Sequence, residues 1–242
     1  MPRAWYREAF GRHYLEVYSH RDDDSARREV AFAADALGLT PGDHVLDLAC
    51  GAGRHSRALA ALGCRVTGMD LSPELLVSAG AAAGGPDYVR GDMRSLPFSR
   101  VFEVICQFFT SFGYFEDPSE DESVLAEVQR VLRPGGRYLF DYLNTERVVA
   151  DLVPESTDRM GRFTLHQRRR ITPDGSRVEK DVVIREGGTI LSEYTESVRL
   201  YTSQDVQAMM GRSGLTPLRL YGDLAGAPFR PDSPRLVVVA RC

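Results

Sequence analysis

The feature that most constrains this chain is a short apolar segment that runs directly into a glycine-rich turn. The sequence VLDLACGAGRHS, residues 45–56, has the pattern of a buried strand, a Gly-Ala-Gly turn and the start of a helix. Glycine lets the backbone turn sharply and approach another group closely, because it has no Cβ atom. The free N–H groups at a helix start also favour negative charge. The segment therefore predicts a ligand site between a strand and a helix.

Strand and helix patterns alternate on both sides of this turn. The strand patterns are HVLDLA, CRVTGMD, DYVR, VFEVICQFF and RYLFDYL, and helical patterns separate most of them. Ser72 followed by Pro73 opens one helix, as a serine cap with proline at the first helical position often does. Strands that alternate with helices form parallel sheets with helices on both faces. The sequence therefore predicts an α/β fold.

After Asn144 the strand patterns no longer alternate with helical patterns. Three strand patterns, FTLHQRRRI, RVEKDVVIRE and ILSEYTESVRLY, are separated by glycine-containing turns. Short strands joined by such turns predict an antiparallel insertion. A capped helix and two final strands then resume the α/β pattern.

Composition excludes several classes of protein. The 242 residues suit one large α/β domain, and 43% hydrophobic with 26% charged residues is ordinary for a globular protein. A net charge of −4 argues against nucleic acid or an anionic membrane as the partner. No apolar run approaches the ~18 residues of a membrane span, and the first residues lack a signal-peptide core. Four cysteines without a C-x-x-C pair predict reduced thiols in the cytoplasm and no metal site.

The residues around the turn narrow the choice of ligand. Gly51 and Gly53 lack the third glycine of a dinucleotide fingerprint, which places a dehydrogenase last among the candidates. Asp70 ends the next strand pattern, where a carboxylate can accept hydrogen bonds from ribose hydroxyls. Together these residues predict a ligand that contains adenosine and a small tail. An amino-acid tail would suit, because its ammonium could bind Asp47. The alternative is that the glycines only tighten the turn.

At this point the sequence resembles the class I S-adenosylmethionine-dependent methyltransferases. VLDLACGAGRHS is similar to their first motif, VTGMDLS to the second, GDMRSLPF to the third and VFEVICQFFTSFGY to the fourth, and VLRPGGRYLFDYLN is similar to the segment through strand five. The matches follow the family's order over about residues 40–145. The resemblance implies a Rossmann-like, doubly wound, mostly parallel sheet of seven strands with an antiparallel β insertion after strand five. It also implies S-adenosyl-L-methionine as the cofactor.

The resemblance further implies roles for single residues. Gly51 and Gly53 would let the methionine part of the cofactor lie against the backbone. Asp70 would hold the ribose hydroxyls. Phe108, which follows the fourth strand, would lie near the sulfonium.

Three other positions are expected around the adenine. Leu71 would pack on the ring, Met93 would lie beside it, and Asp92 would accept a hydrogen bond from the amino group. These roles are carried over from the family's second and third motifs.

The nature of the acceptor follows from the segment FTSFGYF, which resembles the small-molecule branch of the family, including N-methyltransferases of amino sugars. The Asn-Pro-Pro-Tyr signature of enzymes that methylate bases or glutamine is absent. Transfer would be an in-line displacement, with the nucleophile held ~3–3.5 Å from the methyl group. A neutral amine can attack without a base, whereas a hydroxyl needs one. No residue stands out as that base, and Tyr114 and Tyr142 are candidates.

The patterns divide the chain into four parts. Residues 1–39 would form an N-terminal helical lid, and residues 40–145 the cofactor-binding core. Residues 146–200 would be the antiparallel insertion, acting as a substrate lid or a dimer surface. Residues 201–242 would supply the closing helix and strand pair. Tyr14 lies on an aromatic helix expected over residues 5–18, which would either close over the cofactor or pack on the sheet.

Three functions stay open at this level. The first is methyl transfer to an N or O nucleophile of a small molecule. The second is RNA modification through the basic segment HQRRR, although alternate strand residues point to opposite faces. The third is a module that binds adenosylmethionine without turnover. A homodimer could form through the strand edge of the insertion.

Overall fold

The computed structural model describes residues 4–7, 9–10, 22–81 and 85–242. A 3-10 helix spans Trp5–Arg7. The α-helices of the described residues are α1 (Asp23–Leu37), α2 (Arg54–Ala61), α3 (Pro73–Gly80), α4 (Pro118–Val131), α5 (Thr145–Ala150) and α6 (Ser203–Arg212). The strands are β1 (His44–Leu48), β2 (Arg65–Asp70), β3 (Asp87–Arg90), β4 (Phe102–Gln107), β5 (Leu132–Leu143), β6 (Glu155–Met160), β7 (Phe163–Ile171), β8 (Arg177–Glu186), β9 (Thr189–Arg199), β10 (Thr216–Tyr221) and β11 (Arg235–Arg241).

Seven strands form the central sheet in the order β10-β11-β5-β4-β1-β2-β3. Strands β1 to β5 pair in parallel, whereas β11 is antiparallel to β5 and β10 is antiparallel to β11. The predicted doubly wound, mostly parallel sheet of seven strands is confirmed. The strand order reverses between β1 and β4, and open α/β sheets bind ligands beside such a switch point.

The sheet is buried on both faces, which explains the apolar runs in its central strands. On one face, Leu46 and Ile105 pack with residues of α4 and α6. On the other face, Val45 and Val104 pack with residues of α1 and α2. Each of these four strand side chains is fully buried. The carboxyl ends of β1 and β4 are therefore held side by side by a rigid core.

Local signals determine where the helices begin and end. The Asp22 carboxylate caps α1 by accepting the Ser25 N–H, and Gly38 closes it with a left-handed φ of 62°. Ser72 caps α3 by accepting the Leu75 N–H, as the Ser-Pro pattern predicts. None of the described helices is both long and apolar enough to cross a membrane.

The chain segment between β5 and α6 forms a second sheet, with the strand order β6-β7-β8-β9. All of its neighbouring pairs are antiparallel, so the predicted insertion after strand five is confirmed. It has four strands where the sequence patterns indicate three. Strand β6, with the sequence ESTDRM, was not expected because an exposed edge strand needs little apolar alternation.

The N-terminal segment contacts this second sheet. Trp5 is buried, and its indole Nε1 donates to the backbone carbonyl of Ser197 in β9 at 3.1 Å. The 3-10 helix stands where the first turn of an α-helix over residues 5–18 was expected. Tyr14, expected from the sequence to contact the cofactor, lies outside the described residues.

Candidate active site

A cleft opens at the carboxyl ends of β1, β2, β3 and β4. Residues that follow each of these strands line it, together with Tyr6 and Phe10 from the N-terminal segment. Six of the residues expected to contact the cofactor belong to the lining. They are Gly51, Asp70, Leu71, Asp92, Met93 and Phe108.

The turn after β1 is tied to the end of β2. Gly51 has a left-handed φ of 56° and donates its N–H to Asp70 Oδ2 at 2.8 Å. The other carboxylate oxygen, Oδ1, accepts the Ser72 N–H at 2.8 Å. Burial raises the pKa of Asp70, and the two backbone hydrogen bonds oppose that rise. The carboxylate is therefore fixed in orientation at the wall of the cleft.

The resemblance places Gly53 along the methionine part of the cofactor. Gly53 does not line the cleft but packs against Tyr88 of β3. A Cβ at this position would lie 2.8 Å from Tyr88 Cζ, and the φ of 75° also disfavours other residues. The second glycine of the turn is thus required by helix–sheet packing.

Asp47 also departs from its expected place. Its side chain is fully buried behind the turn, where it accepts a hydrogen bond from Ser56 Oγ at 2.5 Å. Burial raises the pKa of Asp47. Because Asp47 is not part of the cleft lining, the structure does not support a direct contact between Asp47 and an ammonium group in the cleft.

Asp92 lies in the lining beside an arginine that the sequence patterns did not single out. Arg94 donates to Asp92 through Nη2 at 2.6 Å and through Nε at 3.0 Å. These hydrogen bonds hold the pKa of Asp92 below its ordinary value. The guanidinium carbon of Arg94 also lies 4.5 Å from the ring centroid of Phe115. Asp92 is therefore an ionised and oriented carboxylate.

Phe108 forms part of an aromatic wall. Its ring stacks on His55, with centroids 4.1 Å apart and planes at 17°. His55 Nε2 lies 2.6 Å from Glu29 Oε2, and Arg54 Nη1 lies 3.0 Å from the same oxygen. Burial alone would raise the pKa of Glu29, but the bond to His55 and the charge of Arg54 hold it below its ordinary value. Helix α1 thus supports the wall from behind.

Tyr114 lies at the junction between the cleft and the N-terminal segment. Its ring centroid is 4.7 Å from that of Trp5, 6.2 Å from that of Tyr6 and 6.3 Å from that of Phe10. Tyr114, Tyr6 and Phe10 all line the cleft. The candidate base Tyr114 is therefore placed where an acceptor could reach it.

Tyr142, the other candidate base, is not available for that role. Its side chain is fully buried, and its hydroxyl donates to the backbone carbonyl of Arg199. Burial raises the pKa of Tyr142 well above its ordinary value. The position of Tyr142 near the end of β5 predicted a place at the edge of the sheet where ligands bind. Its side chain instead lies on the face of β5 that packs in the core.

A second cavity lies between the N-terminal segment and the insertion. It shares Tyr6, Tyr114 and Phe115 with the cleft. Its lining also includes four carboxylates, which are Glu116, Glu120, Asp174 and Glu179, and two guanidinium groups, which are Arg177 and Arg199.

Arg177 of β8 ties the insertion to the loop that separates the two cavities. Its guanidinium donates to the carbonyls of Phe115 at 3.0 Å, Gly113 at 3.2 Å and Tyr114 at 3.3 Å. It also donates to the backbone carbonyl of Ser197 at 3.0 Å. The position of Tyr114 therefore depends on the second sheet.

The basic segment of β7 is paired within its own sheet. Arg170 lies 2.7 Å from Glu179 and also pairs with Asp181, while Arg168 lies 3.4 Å from Glu155. Two of the three arginines of this segment are thus ion-paired, while Arg169 donates to Ser156 Oγ and Gln167 Oε1. Within the described part of the chain, no group of three or more His, Cys, Asp or Glu side chains could hold a metal ion.

Comparisons with known proteins agree with this architecture. The family model described as a methyltransferase domain matches residues 45–136. A cypemycin N-terminal methyltransferase from Streptomyces sp is 29% identical over 207 residues, which cover 82% of this chain and 82% of that relative. Seven further curated relatives align over 39% to 60% of their own length.

Two solved structures share the whole fold. The CcbJ methyltransferase from Streptomyces caelestis aligns with a TM-score of 0.82 at 20% identity, over 98% of each chain. CalS10, an amino pentose methyltransferase from Micromonospora echinaspora, aligns with a TM-score of 0.70 at 23% identity, over 96% of this chain and 97% of its own.

Fold and cleft thus define a Rossmann-like α/β protein with its candidate site at the switch point of the sheet. Residues 45–136 match a methyltransferase domain, and the whole chain shares the fold of solved S-adenosylmethionine-dependent methyltransferases.

Proposed function

We propose that the chain methylates the nitrogen of a small-molecule amine, with the cofactor in the cleft and the acceptor in the second cavity. The observation that carries this proposal is the second cavity itself. Aromatic rings that it shares with the cleft form one side, and four carboxylates lie in its lining. The four carboxylates outnumber the two guanidinium groups of the lining, Arg177 and Arg199, so the cavity has a negative formal charge. Negative charge and aromatic ring faces both favour a cationic acceptor.

The residues of the cleft fit the cofactor. Each carboxylate oxygen of Asp70 accepts a backbone N–H, from Gly51 or Ser72, and an ionised carboxylate has about four acceptor sites, so acceptor capacity remains for ribose hydroxyls. Leu71 and Met93 supply apolar surface for a base, and Asp92 supplies an acceptor beside them. Phe108 contributes a ring face for a positive sulfur, a contact that contributes roughly 0.5–2 kcal/mol.

S-adenosylmethionine supplies a methyl group that its sulfonium already activates. The protein then has to hold the acceptor in line and exclude water, and orientation of this kind accounts for a large part of such a barrier. Tyr6, Tyr114 and Phe115 stand between the two cavities and are the residues that would orient the acceptor nitrogen.

The lining of the cleft supports an amine rather than a hydroxyl acceptor. Among the described residues it contains no histidine or lysine, and its two carboxylates are engaged by Arg94 or by backbone N–H groups. Tyr114 is the candidate base that remains. An amine that binds as its ammonium must first lose a proton, which a carboxylate of the second cavity can accept, and the neutral amine then attacks without a further base. The names of an N-terminal methyltransferase and an amino pentose methyltransferase among the relatives also support an amine.

The test is a paired acceptor screen. Amino sugars and amino-terminal peptides would be compared with their hydroxyl counterparts, and the methylated atom located by NMR. We expect methylation at nitrogen only. Methylation confined to the hydroxyl compounds would refute the proposal, and so would salt-sensitive methylation of RNA alone.

A charge variant of the second cavity sharpens this test. Glu116→Gln removes one lining carboxylate and should raise the KM for the amine by about tenfold, the effect of losing one charge-assisted hydrogen bond. Glu193→Gln, on an exposed position of β9 outside the lining, is the control. Equal KM values for the two variants would place the acceptor elsewhere.

Other features of this proposal concern the organisation of the molecule. The insertion acts as the substrate lid, and residues 1–39, 40–145 and 201–242 act as the N-terminal lid, the core and its closing part. All four cysteines are free, which fits a reducing compartment such as the cytoplasm. The exposed edge strand β6 offers a pairing surface for a homodimer. Sedimentation analysis of the wild type would measure that association directly.

A further inference from the structure

Two consecutive residues after β4 adopt a conformation that side chains usually avoid. Phe109 has a φ of 60° and Thr110 has a φ of 57°, both in the left-handed region. A non-glycine residue held there costs free energy, and it persists only where its surroundings impose it. Phe109 lines the cleft, and Phe108 immediately precedes this pair. The conformation therefore determines how both rings enter the cleft.

Asp141 of β5 holds the pair by two separate groups. Its carboxylate Oδ2 accepts the Phe109 N–H at 2.8 Å, and its backbone carbonyl accepts the Thr110 N–H at 3.0 Å. The residue is 1% exposed, so these bonds have little competition from water. A carboxylate bound by a backbone N–H in a buried position is a strong and directional contact.

Arg235 of β11 completes the arrangement. Its Nε donates to Asp141 Oδ1 at 2.7 Å, and its Nη2 donates to Thr110 Oγ1 at 2.9 Å. Its guanidinium carbon also lies 5.6 Å from the ring centroid of Phe109. Arg235 thereby neutralises the buried carboxylate and fixes the same two loop residues. Asp141 and Arg235 lie on neighbouring, hydrogen-bonded strands of the central sheet. The loop is therefore attached to a rigid part of the fold.

We propose that Asp141 and Arg235 are positioning residues that hold Phe108 and Phe109 in the cleft against the positively charged sulfur of the cofactor. The inference rests on the proposed location of the cofactor. Neither Asp141 nor Arg235 lines the cleft, so both act through the loop rather than by touching the cofactor. Asp141 and Arg235 do more than pair their charges, because their hydrogen bonds also hold Phe109 and Thr110, the two residues with a left-handed φ.

The test compares two ligands that differ in charge at sulfur. S-adenosylmethionine carries a sulfonium, whereas its demethylated product S-adenosylhomocysteine carries a neutral thioether. Arg235→Met keeps the aliphatic bulk but removes both donors, and Arg235→Lys retains a cation. Calorimetry would give Kd for both ligands. We expect Arg235→Met to lower the preference for the charged ligand by about twofold to thirtyfold, the range of a lost cation–π contact. Arg235→Lys should restore part of it.

Asp43→Asn provides the matched control. Asp43 accepts from Arg137 Nη2 at 3.0 Å, and this ion pair also involves β5 but lies at the opposite end of the strand from the cleft. It should leave the ratio of the two Kd values unchanged. Asp141→Asn is the second variant, in case Arg235→Met fails to fold. It keeps one acceptor for the Phe109 N–H while weakening the Arg235 contact.

The outcomes distinguish the positioning role of Asp141 and Arg235 from the proposed cofactor site. If the wild type binds both ligands and every folded variant keeps the wild-type ratio, the positioning role is wrong while the cofactor site stands. If the wild type binds neither ligand, the proposed cofactor site fails, and the positioning role fails with it.

Discussion

The backbone N–H of Gly51 donates to the carboxylate of Asp70 at 2.8 Å, which joins the turn after β1 to the end of β2. The same carboxylate accepts the Ser72 N–H at 2.8 Å, just before α3 begins. One side chain thus organises three segments around the cleft. A ribose hydroxyl would meet a carboxylate that is already oriented, so little ordering is left to occur on binding.

Asp70→Asn should weaken S-adenosylmethionine binding by about tenfold to a hundredfold, the effect of losing a hydrogen bond to a charged group. The amide must present its NH2 group either to a backbone N–H or to the ribose, and it loses an acceptor in both cases. Calorimetry measures the change. Asp87→Asn, at an exposed position where β3 begins, is the control and should bind normally. Equal affinities for the two variants would contradict this assignment.

Gly53→Ala should destabilise the protein by about 2–5 kcal/mol, because a left-handed φ and an overpacked contact with Tyr88 add together. Urea unfolding measures the loss. Gly175→Ala separates the two costs, since Gly175 has a φ of 71° and nothing within 4 Å of an added Cβ. The control should show only the backbone cost. If both variants lost the same stability, the packing argument for Gly53 would be wrong.

Arg177→Met should raise the acceptor KM by about tenfold while changing the Kd of S-adenosylmethionine much less. Arg177 donates to three successive carbonyls of the loop that carries Tyr114, and their release would loosen the wall between the cavities. Steady-state kinetics and calorimetry report the two effects separately. Arg185→Met, also on β8 and with an exposed hydrogen bond to Gly188, is the control. A larger effect on cofactor than on acceptor binding would argue against this role.

Asp121 should make the folded state less stable as pH rises from about 4 to about 6. Burial raises the pKa of its carboxyl from 3.8 to about 6, against hydrogen bonds from Tyr201 at 2.9 Å and Gly113 at 3.1 Å. In that window the folded state binds a proton that the unfolded state has lost, so stability falls with increasing pH, by about 3 kcal/mol in total.

Urea unfolding at a series of pH values tests this prediction. Asp121→Asn cannot titrate, so its stability relative to the wild type should rise across the window and then stay level. Asp174→Asn is the contrasting variant, because hydrogen bonds from Thr172 and Ser176 lower the pKa of Asp174 to about 2. Its difference from the wild type should not change between about pH 5 and pH 7. A constant difference for Asp121→Asn would show that this carboxyl is not perturbed.

The sequence by itself determined the elements of the fold and the strand ends that form the cleft. The periodicity of apolar residues is a local property, and cap and turn residues such as Ser72 and Gly38 mark the ends of helices within a few positions. Asp70 ends one parallel strand and Asp92 follows another, and the carboxyl ends of such strands meet at one edge of the sheet. Their common placement in the cleft lining could therefore be predicted.

Only the tertiary structure decided which distant side chains support these residues. Asp141 and Arg235 are 94 positions apart, and Arg177 reaches a loop 62 positions away. Burial on one face of β5 removes Tyr142 from the site, although its place in the strand pointed to the ligand edge. Local patterns indicate that a residue is in a strand, but its partners depend on strand order, register and the packing of side chains between layers.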